Sequence, residues 1–429
     1  MTRWVGRAAT NRRAAVPAGA VGTGAVWAVT RAALLLCVFK VVTLPGPDVT
    51  GDVSVIYRGW FEVLRTGTYP LDDVTWQYPP AAALAIASPA ALPFLGYATA
   101  FFVLACACDA VVFALLLRAS RRPGGSARGV RVWVAGVPLL GPTSYARYDL
   151  MVTAVAVAAL VTGARRPAVK GALAGFGALL KMWPALLLVG TPRGRPTRRT
   201  WAAAAGTALA LTVVCWAAMP GALAFLAFQR DRGTEIESLG ALVLHGARHF
   251  GWEGEVLLNY GSVEFLGPYV PLVSGAALAL SVVALGWLVV WRLRAREFAA
   301  STPYDAAFVA VLLFTTTSRV ISPQYLLWLV GLAAACLVVR TSGMVLPARL
   351  VLVATGVTLL EFPLLFSHVV ASDPLGVLLL TVRNGLLVAA ALIACRRLWV
   401  RTVAAPRRRA ARLDLVSPGV SVRTRATAR

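Results

Sequence analysis

About ten apolar runs alternate with polar loops, and they set the terms on which this chain can fold. They cover approximately 25–45, 97–117, 132–145, 150–163, 200–220, 269–293, 304–318, 324–340, 344–367 and 374–394. A helix that crosses a bilayer needs about 20 mostly apolar residues. Hydrophobic residues make up 59% of the 429 and charged residues 14%, against roughly 45–50% and 25% in soluble domains. That excess needs an apolar solvent, and it excludes a disordered chain, which is poor in hydrophobics. The expected fold class is all-α: a polytopic membrane helical bundle of about 10–12 transmembrane helices. The range reflects two further apolar stretches. Residues 81–93 are short for a span, and 171–191 carries Lys181 and Pro184 at mid-depth. Both read as re-entrant hairpins that enter and leave on the same side.

The formal net charge is +24, which by itself suggests nucleic acid or an anionic surface. Its distribution points elsewhere. About 31 of the 42 Lys/Arg fall on one side of the expected topology, in stretches such as 118–131, 164–170, 193–199, 292–296 and the segment after Cys395. Positive loops face the cytoplasm. Roughly 13 of the 18 acids fall on the opposite side. The expectation is a multi-pass plasma-membrane protein with both termini cytoplasmic. Residues 1–24 form a basic tail, 25–395 a single transmembrane domain, and 396–429 an Arg-rich disordered tail suited to anionic lipid. Nucleic acid is not an expected partner. The six cysteines lie in or beside apolar runs and read as small buried hydrophobes.

Two large loops lie outside, at about 46–80 and 221–268. In the first, Val53, Ile56, Trp60 and Leu64 recur at helical spacing opposite Ser54, Arg58, Glu62 and Arg65, which describes an amphipathic interfacial helix. Asp48 and Asp52 precede it. A carboxylate at a bilayer surface suits general-base work on a lipid-linked substrate. Asp52 is the candidate base and Asp48 its rival. Tyr57, Trp60, Trp76 and Tyr78 fit an aromatic belt or a sugar-stacking surface. Arg230, Arg232 and Arg319 are among the few outside cations and could meet a phosphate leaving group. Glu235 and Glu237 suit sugar hydroxyls or pairing with those arginines. Lys181, costly in an apolar run, is a candidate for a carrier phosphate or a structural pair with Asp109 or Asp149. Arg147 and Asp149 read as a local ion pair. His245 and His249 stand four apart, but no glutamate completes a metal-binding face, so no metal and no other cofactor is expected.

Several of these segments occur in a familiar order. Asp52, Tyr57, Leu64-Arg65-Thr66-Gly67-Thr68-Tyr69 and Tyr78-Pro79-Pro80 open the chain. Gly175-Phe176-Gly177-Ala178-Leu179-Leu180-Lys181-Met182-Trp183-Pro184 follows, then Arg232-Gly233-Thr234-Glu235-Ile236-Glu237-Ser238. Ser322-Pro323-Gln324-Tyr325-Leu326-Leu327-Trp328 and Arg383-Asn384 come last. Over roughly 48–390 this order resembles the family 87 glycosyltransferases. These are integral membrane enzymes of the GT-C class, typified by polyprenol-phosphate-mannose-dependent mannosyltransferases of actinobacteria. The resemblance implies a GT-C-like bundle that moves a sugar, mannose first among the choices, from a polyprenyl-phosphate donor to a glycolipid or glycan acceptor of the cell envelope. Transfer would occur at the outer face with inversion. Asp52 matches the family's aspartate base, and Tyr57, Tyr78, Lys181 and Gln324 join the arginines and glutamates above as substrate-binding candidates. A secondary transporter or lipid flippase is the main alternative, because charges such as Asp109, Asp305, Glu361 and Arg383 lie within apolar runs. A non-catalytic scaffold or polymerase partner is a third.

Overall fold

A computed structural model describes residues 18–163, 166–228 and 233–404. They form an all-α membrane bundle that carries one small sheet. In chain order the helices are α1 (Ala18–Val38), α2 (Arg58–Arg65), α3 (Ala82–Ala87), α4 (Tyr97–Ser120), α5 (Arg128–Leu139), α6 (Asp149–Gly163), α7 (Pro167–Leu180) and α8 (Arg195–Ala218). They continue with the single turn α9 (Phe225–Phe228), α10 (Ala241–Arg248), α11 (Val270–Arg294), α12 (Thr302–Thr317), α13 (Tyr325–Leu337), α14 (Val345–Leu359), α15 (Phe366–Ala371) and α16 (Pro374–Trp399). Among the described residues five are long and apolar enough to cross a bilayer by length and composition: α4, α8, α11, α14 with its continuation to Leu364, and α16 with its continuation to Ala404. Other runs expected as spans are shorter helices. The run 132–145 is α5, of 12 residues, followed by a 3-10 turn at Gly141–Ser144. Pro142 inside that turn cannot donate to an α-helical ladder. Large apolar side chains on α8 and α11, such as Leu209, Trp216, Leu272 and Leu278, point out of the protein, as helices solvated by lipid require.

The bundle has two ends. α4 begins near Tyr57, whose ring meets that of Phe101. It finishes where Arg122 donates to the carbonyl of Val161, at the end of α6, and Ser126 N donates to the carbonyl of Val338, just past α13. The residue 171–191 stretch follows a hairpin course. α7 rises for 14 residues and stops at Lys181, whose backbone turns extended (φ −161°, ψ 134°). Trp183–Leu188 then returns as a 3-10 helix. Pro167 and Thr191, from the two arms, line one hollow at the far end, whereas Lys181 lies at the other end of α7. Both arms therefore leave on the same side. α8 seals the hairpin at close range. A Cβ on Gly171 would stand 2.0 Å from the carbonyl oxygen of Thr200, and one on Gly175 2.4 Å from that of Ala204, so only glycine lets these backbones meet.

Buried charge ties the bundle together. Arg31 of α1 pairs with Asp109 of α4 at 2.6 Å. Asp109 also accepts from Trp133 Nε1 at 2.6 Å and Tyr145 OH at 2.8 Å, and Arg31 Nη1 donates to the carbonyl of Val134 at 2.8 Å. An ion pair this buried is tolerable only when its remaining hydrogen-bonding groups are met. Asp305 accepts from Ser342 at 2.6 Å, and Arg383 pairs with Glu361 at 2.6 Å. The intramembrane charges that suggested a transporter are thus engaged in joining helices.

Three expectations shift. The first helix runs from Ala18, so it takes in part of the stretch expected as a tail, and it ends at Val38. At the other terminus, α16 and a following π-turn carry regular helix through Ala404, past the expected boundary at 395; residues 405–429, like 1–17, lie outside the described residues. The second large loop holds an antiparallel sheet of order β1-β3-β2, with β1 Thr234–Glu235, β2 Glu255–Asn259 and β3 Ser262–Leu266. Ile236, Leu244, Phe265 and Val270 form a small apolar core beneath it, closed by Val369 and Leu380 of α15 and α16.

Candidate active site

The first loop folds back into the protein. Asp52 starts a π-turn (Asp52–Tyr57) that runs directly into α2. The expected apolar stripe is real: Val53, Trp60 and Leu64 are buried, while Arg58, Glu62 and Arg65 are exposed. Its partner is the protein core, because Tyr57 packs on Trp60, Phe101 and Tyr148, and Trp60 on Trp76. Tyr57 and Trp76 are accordingly buried rather than set out as a membrane belt.

The two aspartates of this loop have different surroundings. Asp48 Oδ1 accepts from the backbone N and the hydroxyl of Thr50, at 2.9 and 2.6 Å, and Oδ2 meets Lys40 Nζ at 2.8 Å. Partial burial raises its pKa, but the bonds from Lys40 and Thr50 outweigh that and hold the carboxyl below the usual range. It borders a separate hollow with Lys40, Pro142 and Pro363. Asp52 faces the main cavity of about 360 Å³, with its side chain 35% exposed and Arg147 Nε 3.0 Å from Oδ2. Arg147 is itself held by the carbonyls of Val49 and Ala146 at 2.9 and 2.8 Å. The expected Arg147–Asp149 pair does not form. Each residue instead serves a different member of the site.

Asp149 holds Lys181. Lys181 Nζ stands 2.7 Å from Asp149 Oδ1, which also accepts from Trp328 Nε1 at 2.6 Å. The same ammonium lies 5.0 to 5.4 Å from the ring centres of Tyr78, Tyr148, Tyr325 and Trp328. Aromatic faces attract a cation at that range, more strongly where water is excluded. The hairpin tip is thereby fixed in the cavity floor, and the flat stack Tyr325–Trp328–Trp183, with ring centres 4.0 and 5.3 Å apart, forms one wall.

Three elements close the cavity. The α12–α13 corner contributes Arg319, Ser322 and Gln324. The β2–β3 turn contributes Tyr260, Gly261 and Ser262, and both central residues of that turn have positive φ (48° and 76°), as a tight hairpin turn demands. Gln77 Nε2 donates to the carbonyl of Tyr260 at 3.1 Å, so loop one and loop two meet directly. Glu235 and Glu237 are not lining residues. Glu235 N donates to the carbonyl of Arg319, and Glu235 Oε1 accepts from Ser322 Oγ at 2.7 Å, which braces the corner from behind. Glu237 is buried beside Glu361 and Arg383, and Arg383 Nη2 donates to its carbonyl at 2.8 Å. Burial, and then the neighbouring carboxyls of Glu235 and Glu361, push the Glu237 carboxyl well above its ordinary range. Both glutamates are buried behind the cavity lining. Arg230 and Arg232 lie outside the described residues.

Of the expected site residues, Asp52, Tyr57, Tyr78, Lys181, Arg319 and Gln324 share one cavity. Of the pair Arg147 and Asp149, only Asp149 was expected there, as one possible partner of Lys181, and the β2–β3 turn was not expected. Two charges two residues apart in an apolar run were the available signal for the first pair, and Asn259-Tyr260-Gly261 between alternating strands for the turn. His245 sits apart. One ring nitrogen meets Ser372 Oγ at 2.6 Å and the other the carbonyl of Ile236 at 2.8 Å, so it pins α10 to the sheet. Among the described residues no group of three or more His, Cys, Asp or Glu is placed to hold a metal.

No curated protein and no solved structure matches the chain. The family model for glycosyltransferase family 87 matches residues 76–323, a stretch that includes Tyr78, the Lys181 hairpin, the sheet and Arg319, and that begins near the end of loop one, past Asp52. A match over more than half of the chain, on a helical membrane bundle whose loops and hairpin enclose one polar-and-aromatic cavity, places this protein in glycosyltransferase family 87, and it is a membrane glycosyltransferase.

Proposed function

We propose that the protein moves a sugar, mannose by preference, from a polyprenyl-phosphate carrier to a hydroxyl of a cell-envelope glycolipid or glycan. The basic loops gather at the end of the bundle away from the cavity, which by the positive-inside rule supports an active site on the extracytoplasmic face. The observation that carries the proposal is the position of Asp52. Its carboxylate is the acid that opens on the cavity, oriented by Arg147 at 3.0 Å.

In this scheme the acceptor hydroxyl gives its proton to Asp52 as its oxygen forms the new bond to the anomeric carbon. The bond from that carbon to the carrier phosphate breaks on the opposite face, the phosphate leaves with the electron pair, and the configuration inverts. Growing charge on the phosphate calls for a cation. Arg319 at the cavity rim supports that role. Lys181 is already neutralised by Asp149, so its part is to place the aromatic wall and to offer a hydrogen bond rather than net charge. The Tyr325 and Trp328 stack suits the apolar face of a pyranose.

The test is purified protein incubated with a panel of polyprenyl-phosphate sugars and acceptors, scored by mass spectrometry. Asp52→Asn should lower transfer by about 10²–10⁴-fold, the usual contribution of a positioned base. Asp48→Asn should remain within a few-fold of wild type. Full transfer by folded Asp52→Asn, or a dead Asp48→Asn, would overturn the assignment. Substrate movement across proteoliposomes without sugar transfer would favour a flippase.

A further inference from the structure

At the other end of α7, 11 residues before Lys181, the structure has a further hollow of about 160 Å³. That is roughly five water molecules' share of liquid volume at ~30 Å³ each. Three helices begin on its wall. Each has a proline in its first two positions, Pro167 of α7, Pro196 of α8 and Pro303 of α12, and no side chain caps any of the three. Helix N-termini present free N–H groups and the positive end of the macrodipole, so they favour anions. Those of α7 and α8 converge here, whereas the first amides of α12 already donate to the carbonyls of Ala299 and Ser301.

Side-chain charge points the same way. Lys170 lines the hollow and is 4% exposed. Among the described residues it forms neither an ion pair nor a hydrogen bond from its ammonium. Behind the wall, Arg292 Nη2 donates to Thr197 at 3.2 Å, while its Nη1 is buried and has no hydrogen-bond partner. Thr191 and Thr200 line it too, their hydroxyls already donating to the carbonyls of Leu188 and Pro196, and no carboxylate is part of the lining. A buried lysine in a membrane protein is costly unless it meets an opposite charge, and none of the lining residues supplies one.

We infer that this hollow binds a phosphate group, held by Lys170 and the amino ends of α7 and α8. The phosphate belongs either to the headgroup of an anionic lipid in the adjoining leaflet or to a free phosphate. It would fasten the roots of the hairpin whose tip forms the floor of the sugar cavity. This site is separate from the donor site, and its test does not depend on the transfer reaction.

Full-length protein, stripped of lipid in detergent, is melted with inorganic phosphate, with short-chain phosphatidylglycerol, and with phosphatidylcholine or chloride at matched ionic strength. At least one phosphate arm should raise the melting temperature beyond its control, and Lys170→Met should abolish most of that gain. A gain confined to phosphatidylglycerol identifies the headgroup, and one confined to inorganic phosphate identifies the free anion. No gain in either arm, or an undiminished gain in Lys170→Met, overturns the inference. If Lys170→Met does not fold, reductive methylation of wild type decides. The chain has three lysines, Lys40, Lys170 and Lys181. The stabilising ligand should slow labelling of Lys170 and leave Lys40 unchanged, and equal labelling of Lys170 with and without ligand would refute the site.

Discussion

Lys181→Met tests how the cavity floor is built. Methionine keeps the length and polarisable packing that four aromatic rings require, and it removes only the charge. Asp149, 1% exposed, is then left with Trp328 Nε1 at 2.6 Å as its side-chain donor. Breaking a buried pair by removing one partner costs about 3–5 kcal/mol, because the remaining charge is uncompensated. At about 1.4 kcal/mol per factor of ten, that is a fall of roughly a thousand-fold in the folding equilibrium. Asp149→Asn should relieve much of it, since the neutral amide carries no charge to bury. The assay is a double-mutant cycle on reversible unfolding in detergent or bicelles, and the expected coupling is about 2 kcal/mol or more. A cost below about 1 kcal/mol for Lys181→Met, or strictly additive single and double variants, would refute the paired-charge account. It would leave Lys181 free to act as a net cation on the donor phosphate.

Other outcomes follow from the same structure. Gly175→Leu should separate α7 from α8, since even a Cβ there lies 2.4 Å from the carbonyl oxygen of Ala204. Overpacking of this kind costs typically 1–3 kcal/mol, and an unchanged melting temperature would contradict the packing. Glu237→Gln should be nearly silent in stability, because the carboxyl is already favoured in its neutral form; loss of folded protein on this substitution would mean that Glu237 is needed as a charge. His245 is held down to about 4, chiefly by burial and then by Arg248 and His249, although its bond to Ile236 acts the other way. The unfolded loop binds the proton near pH 6.5. Stability of the second large loop should therefore be full above that value and fall as pH drops from about 6.5 towards 4. Hydrogen exchange of the β1–β3 amides at pH 7 and pH 5, corrected for intrinsic rate, reads this out. His245→Gln should remove the difference, and a pH-independent wild type would rule the linkage out.

Much of the site was legible in linear order. The acid-bearing first loop, the lysine hairpin and the Ser322–Trp328 corner each announce themselves by a polar residue where apolar periodicity leads one to expect none, and all three reach one cavity. Partnership was legible only as alternatives, Asp149 being one of the expected partners of Lys181. Arg147 and Asp149 are two residues apart, yet one turns to Asp52 and the other to Lys181, 32 positions on. The reason is local: Asp149 opens α6, while Arg147 sits in the irregular segment before it, so their side chains leave the backbone in different directions. The position of Glu235 behind the lining was hidden for a related reason. A two-residue strand paired with β3 turns Glu235 into the wall, and pairing between residues about 30 apart leaves no mark in a short stretch of sequence.

The composition and the spacing of apolar runs alone determined that this chain is a helical membrane protein, because no soluble core can hold so much apolar surface. The distribution of Lys and Arg sets the expected direction, because the cost of moving charge across a bilayer is read residue by residue. Both are sums over local terms, and local terms survive in a linear string. Which aspartate opens on the cavity, which cation is already neutralised, and which helix ends converge on a buried lysine were decided only by tertiary structure. Those properties depend on distances between residues far apart in the chain, and on the exclusion of water that their packing creates.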